Sequence, residues 1–366
     1  MLPGIFVFLI VLSLLVFIHE LGHFLVAKKT GIMVEEFGFG YPPRIWGKKI
    51  GNTVYSINWI PFGGFVKLLG QEARDKKNLP AKVHNCVYFS KPKKIKAAVL
   101  LAGITGNFLL GVFCFAIIYS KLGIPQKLNY VKIADVVEGA PAADSGLQKD
   151  DKVFAINDKK VAEISDFAKV VEEHKGQQIV VQTERGDFTV ISRENPPEGE
   201  GRLGILITDT TQVFYPWWQM PFLGAWAGLK EALGWGIMVV LGLVLTIKQI
   251  FAGIAPQVAG PVGIYQLTTI AAKQGILELI QFVGMLSVNL AVLNLLPFPA
   301  LDGGHLVFLY LGDILGEKRK EKVEHIFNLV GFVILLSLMV LITINDILRI
   351  LKTSPFFTKL FSFLPF

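Results

Sequence analysis

Apolar residues in this chain fall into long runs separated by polar stretches. The first run, residues 1–27, carries no charge before Glu20. About 20 apolar residues cross a 30 Å hydrocarbon core, so this run predicts a spanning helix. Lys28, Lys29 and Gly31 end it. Residues 96–120, 276–310 and 325–352 predict three more spans. Between the first two, residues 28–95 change period. Tyr55, Ile57 and Trp59 alternate there with Ser56 and Asn58, a strand pattern. A polar loop, 71–94, follows. Residues 128–208 mix charge with short strand patterns and read as a separate water-facing domain. Another apolar stretch, Phe222–Ala252 within segment 215–275, is interrupted by Lys230, Glu231 and Lys248. The expected fold is a polytopic α-helical membrane protein of about four spanning helices, with a membrane-associated β-element and one extracytoplasmic α+β domain.

Composition strengthens the membrane assignment. Charged residues make up 18% of the chain and the mean hydropathy is +0.52. Soluble proteins carry about 25% charge, so this surface is made for lipid. The formal net charge of +7 then reports cytoplasmic loops and not nucleic-acid binding. Three basic clusters stand at span ends: Lys28 and Lys29; Lys91, Lys93, Lys94 and Lys96; and Lys318, Arg319, Lys320 and Lys322. The positive-inside rule places all three in the cytoplasm, and both termini and 128–208 outside. By parity, Phe222–Ala252 makes no net crossing and is expected to be interfacial or re-entrant. Cys86 and Cys114 have no Cys-x-x-Cys neighbour, which excludes a thiolate zinc site and a disulfide framework. The first run lacks the basic start and small-residue cleavage site of a signal peptide, so it is expected to be retained.

His19-Glu20-Leu21-Gly22-His23 stands at the end of the first span. Residues four apart share a helix face, so both imidazoles can reach one tetrahedral metal ion. Glu20 is placed to take a proton from activated water. A charged group near mid-bilayer costs roughly 2.5–3.5 kcal/mol, which favours function over a chance match. A catalytic zinc needs a third protein ligand and one open position. Glu35 and Glu36 are candidates, although adjacent acids leaving a membrane are commonly solvated. Asp302, in Asn294-Leu-Leu-Pro-Phe-Pro-Ala-Leu-Asp-Gly-Gly-His305, is the stronger one. Pro297 and Pro299 break the helix there, and Gly303 and Gly304 permit a sharp turn. On these residues alone, Asp302 is either a ligand or the cap of the next helix.

The two motifs, in this order, resemble the site-2 protease family of intramembrane metalloproteases, and more closely its bacterial regulator of sigma-E protease branch. Further matching segments are Gly38-Phe39-Gly40, Pro61–Lys67, Ala102-Gly103 through Asn107-Phe108, and Gly260–Ile264. The resemblance implies Zn²⁺ on His19, His23 and Asp302, with Glu20 as general base. Asn294 would contact the substrate backbone or the developing oxyanion. It also implies a β-element that receives unwound substrate as an added strand, with Gly63, Gly64 and Phe65 at the contact; a shielding hairpin is the alternative. Substrates would be single-span membrane proteins such as anti-sigma factors or remnant signal peptides. A membrane-anchored protease for cytoplasmic or misfolded proteins is the second reading. Asn107 is expected to make a helix contact without chemistry, and His305 to cap or pack.

Residues 139–158 resemble a PDZ domain of the bacterial protease type. Asp150-Asp151 and Asn157-Asp158 stand where that type usually shows Gly-Asp and Asn-Gly. The domain would filter substrates by size or bind peptide ends. The implied location is the bacterial cytoplasmic membrane, multi-pass, with the active site toward the cytoplasm and the PDZ domain outside. The protein is expected to work as a monomer.

Overall fold

The computed structural model describes residues 4–71, 81–197, 199–254 and 259–353; part of the expected polar loop, 72–80, lies outside them. In chain order the elements are α1 (Gly4–Lys29), β1 (Val34–Ile50), β2 (Thr53–Leu68), α2 (Lys93–Leu122), β3 (Ile124–Val136), α3 (Pro141–Asp144), β4 (Lys152–Ile156), β5 (Lys159–Lys160), α4 (Ile164–Glu173), β6 (Gln178–Thr183), β7 (Gly186–Ile191), β8 (Ile205–Val213), α5 (Met220–Phe251), α6 (Pro261–Gln274), α7 (Ile276–Leu295), α8 (Asp302–Leu315) and α9 (Glu317–Thr353). Two short 3-10 turns, Ala81–Cys86 and Tyr88–Ser90, precede α2. Two compact units emerge: residues 1–118 with 225–366, and residues 119–224.

The first unit is helical apart from the β1–β2 hairpin. Small residues set its helix contacts, as expected where lipid offers no hydrophobic drive between helices. A Cβ on Gly22 would sit 2.3 Å from the Ala102 carbonyl oxygen, so α1 and α2 cross backbone to backbone. Val11 and Leu15 of α1, Cys114 of α2 and Val283 of α7 form a buried cluster. The hairpin lies on α1. Ser13 Oγ donates to the Pro61 carbonyl at 2.7 Å, and Phe17 and Phe24 meet the ring of Phe37. Its register is repeatedly shifted, which re-aims side chains along both strands. At the N-terminus of α6, the buried Asp346 carboxylate of α9 accepts the Gly260 and Gly263 N–H groups at 3.0 and 2.8 Å. Those donors would otherwise be orphans in an apolar setting.

Among the described residues, five helices are long and apolar enough to cross a membrane: α1, α2, α5, α7 and Val323–Arg349 of α9. One more helix than the four expected thus has the length and composition of a span, and most of 222–252, expected to be interfacial or re-entrant, forms it as α5. α5 is one unbroken helix of 32 residues. Its charges do not interrupt it: Lys230 lies one turn beyond Trp226, with Nζ 5.3 Å from the ring centre. A lysine stem lies along apolar surface at little cost, so the charge stays on the helix surface without ending it.

The second unit is an antiparallel sheet of order β7-β6-β4-β3-β8, with β5 paired to β4. Val131, Ile133, Val153, Ile156, Ile179 and Val181 point inward and share a buried core with Phe167 and Val171 of α4. Asp150, Asn157 and Asp158 all have positive φ (74°, 47° and 61°), the conformation that glycine adopts most easily. The Asn157 side-chain oxygen holds its turn by accepting the Val180 N–H at 2.8 Å. The polar side chains thus do locally what glycine would do without strain.

Candidate metal centre

Three elements converge on one point of the first unit. α1 presents His19 and His23 from one face, because they stand one turn apart. α2 passes close enough to leave no room for a side chain at Gly103, where a Cβ would lie 2.4 Å from His23 Nε2. The turn between α7 and α8 brings Asp302, the first residue of α8, against both rings. Gly303 and Gly304 are helical and do not make the turn. They clear it, because a Cβ on either would lie 2.2 Å from a carbonyl oxygen, of Leu296 or of Phe298. Ala300, at φ 63°, makes the reversal, and its N–H donates to Asn328 Oδ1 at 3.1 Å.

His19 Nε2 and His23 Nε2 lie 3.1 Å apart, and 3.1 and 3.4 Å from Asp302 Oδ2. That oxygen is buried and accepts no hydrogen bond. A tetrahedral zinc ion with bonds of ~2.0–2.1 Å has ligand–ligand edges of roughly 3.3 Å. Two imidazole nitrogens and one carboxylate oxygen at this spacing fit one face of such a tetrahedron. His23 Nδ1 lies 2.7 Å from the Val99 carbonyl oxygen, which can only accept. The ring therefore carries its proton on Nδ1 and keeps the Nε2 lone pair for a metal. These three residues are the cluster with metal-holding geometry among the described residues.

Glu20 faces the same cavity, of about 290 Å³, together with Phe65, Asn294, Tyr88 and Gln71. The Val66 N–H of β2 donates to Glu20 Oε2 at 3.1 Å and leaves the other oxygen unengaged by that bond. Gly63 and Gly64 are not among the lining residues. A Cβ on Gly63 would strike Val16 of α1 at 2.6 Å, and one on Gly64 would strike the Gly38 carbonyl at 2.8 Å. Their role here is close packing of the hairpin. Glu35 and Glu36 are engaged elsewhere, by Lys67 at 2.8 Å and by Arg44 and Ser56 at 2.7 and 2.6 Å. His305 Nδ1 pairs with Glu324 at 3.1 Å across α8 and α9, a packing contact.

Tyr88 was not legible as a site residue, because it lies in a short turn with no motif. Burial pushes its phenol well above the ordinary range, and the carboxylates of Glu324 and Asp302 add to that. It stays protonated and can donate into the cavity. Gly103 and Val66 lie in segments that resemble the family, but what each does at the site follows only from tertiary approach.

The model of "Peptidase family M50" matches residues 7–338. A provisionally named zinc metalloprotease of Clostridium perfringens is 34% identical over 345 residues, covering 93% of this chain and 97% of that protein. The regulator of sigma-W protease RasP of Bacillus subtilis is 26% identical, covering 94% and 98%. The zinc metalloprotease RasP of Oceanobacillus iheyensis is also 26% identical, with the same coverage. The chain therefore belongs to peptidase family M50, the site-2 protease family of zinc metalloproteases that its two motifs resemble.

Proposed function

We propose that this protein is an intramembrane zinc endopeptidase that cuts single-span membrane proteins within or beside their spanning segment. The observation that carries the reading is the triangle of His19, His23 and Asp302 donor atoms, with edges of 3.1–3.4 Å; the histidines stand on α1 and Asp302 follows α7, both helices apolar enough to cross a bilayer. Zinc, when bound by these three residues, supplies Lewis acidity and lowers the pKa of water to about 7. Glu20 takes the proton of the attacking water and returns it to the leaving amine. The Val66 N–H fixes the carboxylate for this task. Asn294, on the cavity wall, offers an amide N–H to the oxygen on which charge develops.

A helical substrate hides its scissile bonds in its own hydrogen bonds, so it must unwind and find other partners. The β1–β2 hairpin, with Phe65 at the cavity wall, supports strand addition as the means. The basic clusters beside α1, α2 and α9 support a cytoplasmic-side active site in a bacterial cytoplasmic membrane. The second unit would lie outside. Its sheet, with α3 following the Gly139-Ala-Pro turn, supports a PDZ-like domain that filters substrates by size. Anti-sigma factors and remnant signal peptides are the substrate classes proposed.

The test is to map the cut site in a reconstituted single-span substrate by mass spectrometry, with Glu20→Gln as the inactive control. A Glu20-dependent cut inside the span or at its edge is expected. A cut confined to a soluble tail would replace this reading with that of a membrane-anchored protease for soluble or misfolded chains.

A further inference from the structure

Asn107 is fully buried on α2, and its side-chain amide meets the outer nitrogen of His19. The amide nitrogen lies 3.3 Å from His19 Nδ1, while its oxygen Oδ1 has no hydrogen-bond partner. A donor facing Nδ1 would require a lone pair there and would put the ring proton on Nε2. That is the atom 3.1 Å from both His23 Nε2 and Asp302 Oδ2. A neutral histidine that ligates through Nε2 must carry its proton on Nδ1, and that N–H needs an acceptor. The two ends of an amide are nearly the same size, and their assignment follows from the network around them. With Oδ1 unpartnered, no bond at that end opposes a half-turn of the amide.

We infer that Asn107 is a positioning residue of the metal centre: its side-chain oxygen accepts the Nδ1–H of His19 and so holds the Nε2 lone pair toward the metal. This rests on the zinc reading given above. The face of α2 then has a repeating logic. Val99 offers a carbonyl to His23, Gly103 offers space for both rings, and Asn107 offers an acceptor to His19. The three positions are four residues apart and share one side of the helix. Ser287 of α7 steadies the last of them by donating to the Asn107 backbone carbonyl at 2.7 Å.

The test measures zinc affinity by chelator competition on the full chain in detergent, for wild type, Asn107→Leu and Asn107→Asp. Leu keeps the branching at Cγ and removes the acceptor; Asp keeps both the size and the acceptor. Asn107→Leu should bind zinc about 10–100-fold more weakly, and Asn107→Asp should stay within a few-fold of wild type. In parallel, ¹⁵N-histidine spectra of zinc-loaded wild type should show His19 protonated at Nδ1 in a hydrogen bond, with His23 as the internal reference. Unchanged affinity in Asn107→Leu, equal loss in both variants, or a His19 Nδ1–H without a hydrogen bond overturns the inference. Failure of wild type itself to bind zinc at His19 and His23 would instead overturn the metal-centre reading.

Discussion

Replacing Gly103 with Ala isolates the steric logic of the metal centre. A Cβ at this position would lie 2.4 Å from His23 Nε2, 2.7 Å from His23 Cε1 and 2.8 Å from His19 Cε1, where ordinary contact begins at 3.4 Å. The rings must therefore retreat by about 1 Å, or the two helices must part. Either response disturbs a donor triangle whose edges are only 3.1–3.4 Å. Overpacking of this kind costs about 1–3 kcal/mol. Because the ligands themselves must move, most of that cost falls on zinc affinity, a loss of roughly 5–150-fold at these energies. Intrinsic propensity has the opposite sign, since Ala favours a helix over Gly by about 1 kcal/mol. Gly111→Ala is the control. It overpacks the same helix against Val288, at 2.5 Å, away from the histidines. Zinc titration of the purified variants should show the loss in Gly103→Ala and spare Gly111→Ala. Full zinc affinity in Gly103→Ala, or equal loss in both, would refute the reasoning.

Two predictions concern the second unit. Asp151 is buried, which disfavours its charge. Yet hydrogen bonds from Arg185, at 2.5 Å, and from the Gln148 N–H, at 2.9 Å, hold its pKa below the ordinary value. A group whose folded pKa is depressed contributes stability above its unfolded pKa and loses it as the pH falls through the folded value. The contribution is thus complete at neutral pH and fades below about pH 4. Arg185→Met should destabilise this unit at neutral pH, leaving the buried Asp151 carboxylate without its charged donor, and move its acid-unfolding midpoint upward, read by amide exchange across β4 and β6. An unmoved midpoint would show that the pair carries no stability. For sidedness, Asp150→Cys in a chain lacking Cys86 and Cys114 should react with an impermeant maleimide on intact cells. Labelling only after permeabilisation would invert the proposed orientation.

Much of the site could be read in the chain because His19, Glu20 and His23 are neighbours whose helical spacing dictates a shared face. Asp302 was ambiguous as a residue, and only its motif distinguished a ligand from a cap. In the structure Asp302 is the first residue of α8 and its carboxylate meets both imidazoles, the placement that a ligand needs. What stayed hidden depends on approach between distant segments. Gly103 belongs to a segment that resembles the family, but its contact with the two imidazoles emerges only when α1 is laid against α2. The Val66 N–H that holds Glu20 is a backbone group with no sequence mark. α5 carries Lys230 and Glu231, which interrupt the apolar run in the sequence, without a break in the helix. Gly303 and Gly304 were expected at the site for the wrong reason, as turn formers; they are helical residues that clear the preceding loop.

The central claim is that His19, His23 and Asp302 form the metal centre and that Glu20 acts on the water beside it. The most direct measurement is zinc content paired with cleavage for Glu20→Gln and Asp302→Asn, both purified and reconstituted with a single-span substrate. Glu20→Gln should retain one zinc per chain and cleave nothing, while Asp302→Asn should lose most of its zinc together with its activity. Full zinc content in Asp302→Asn, or undiminished cleavage by Glu20→Gln, would contradict the account.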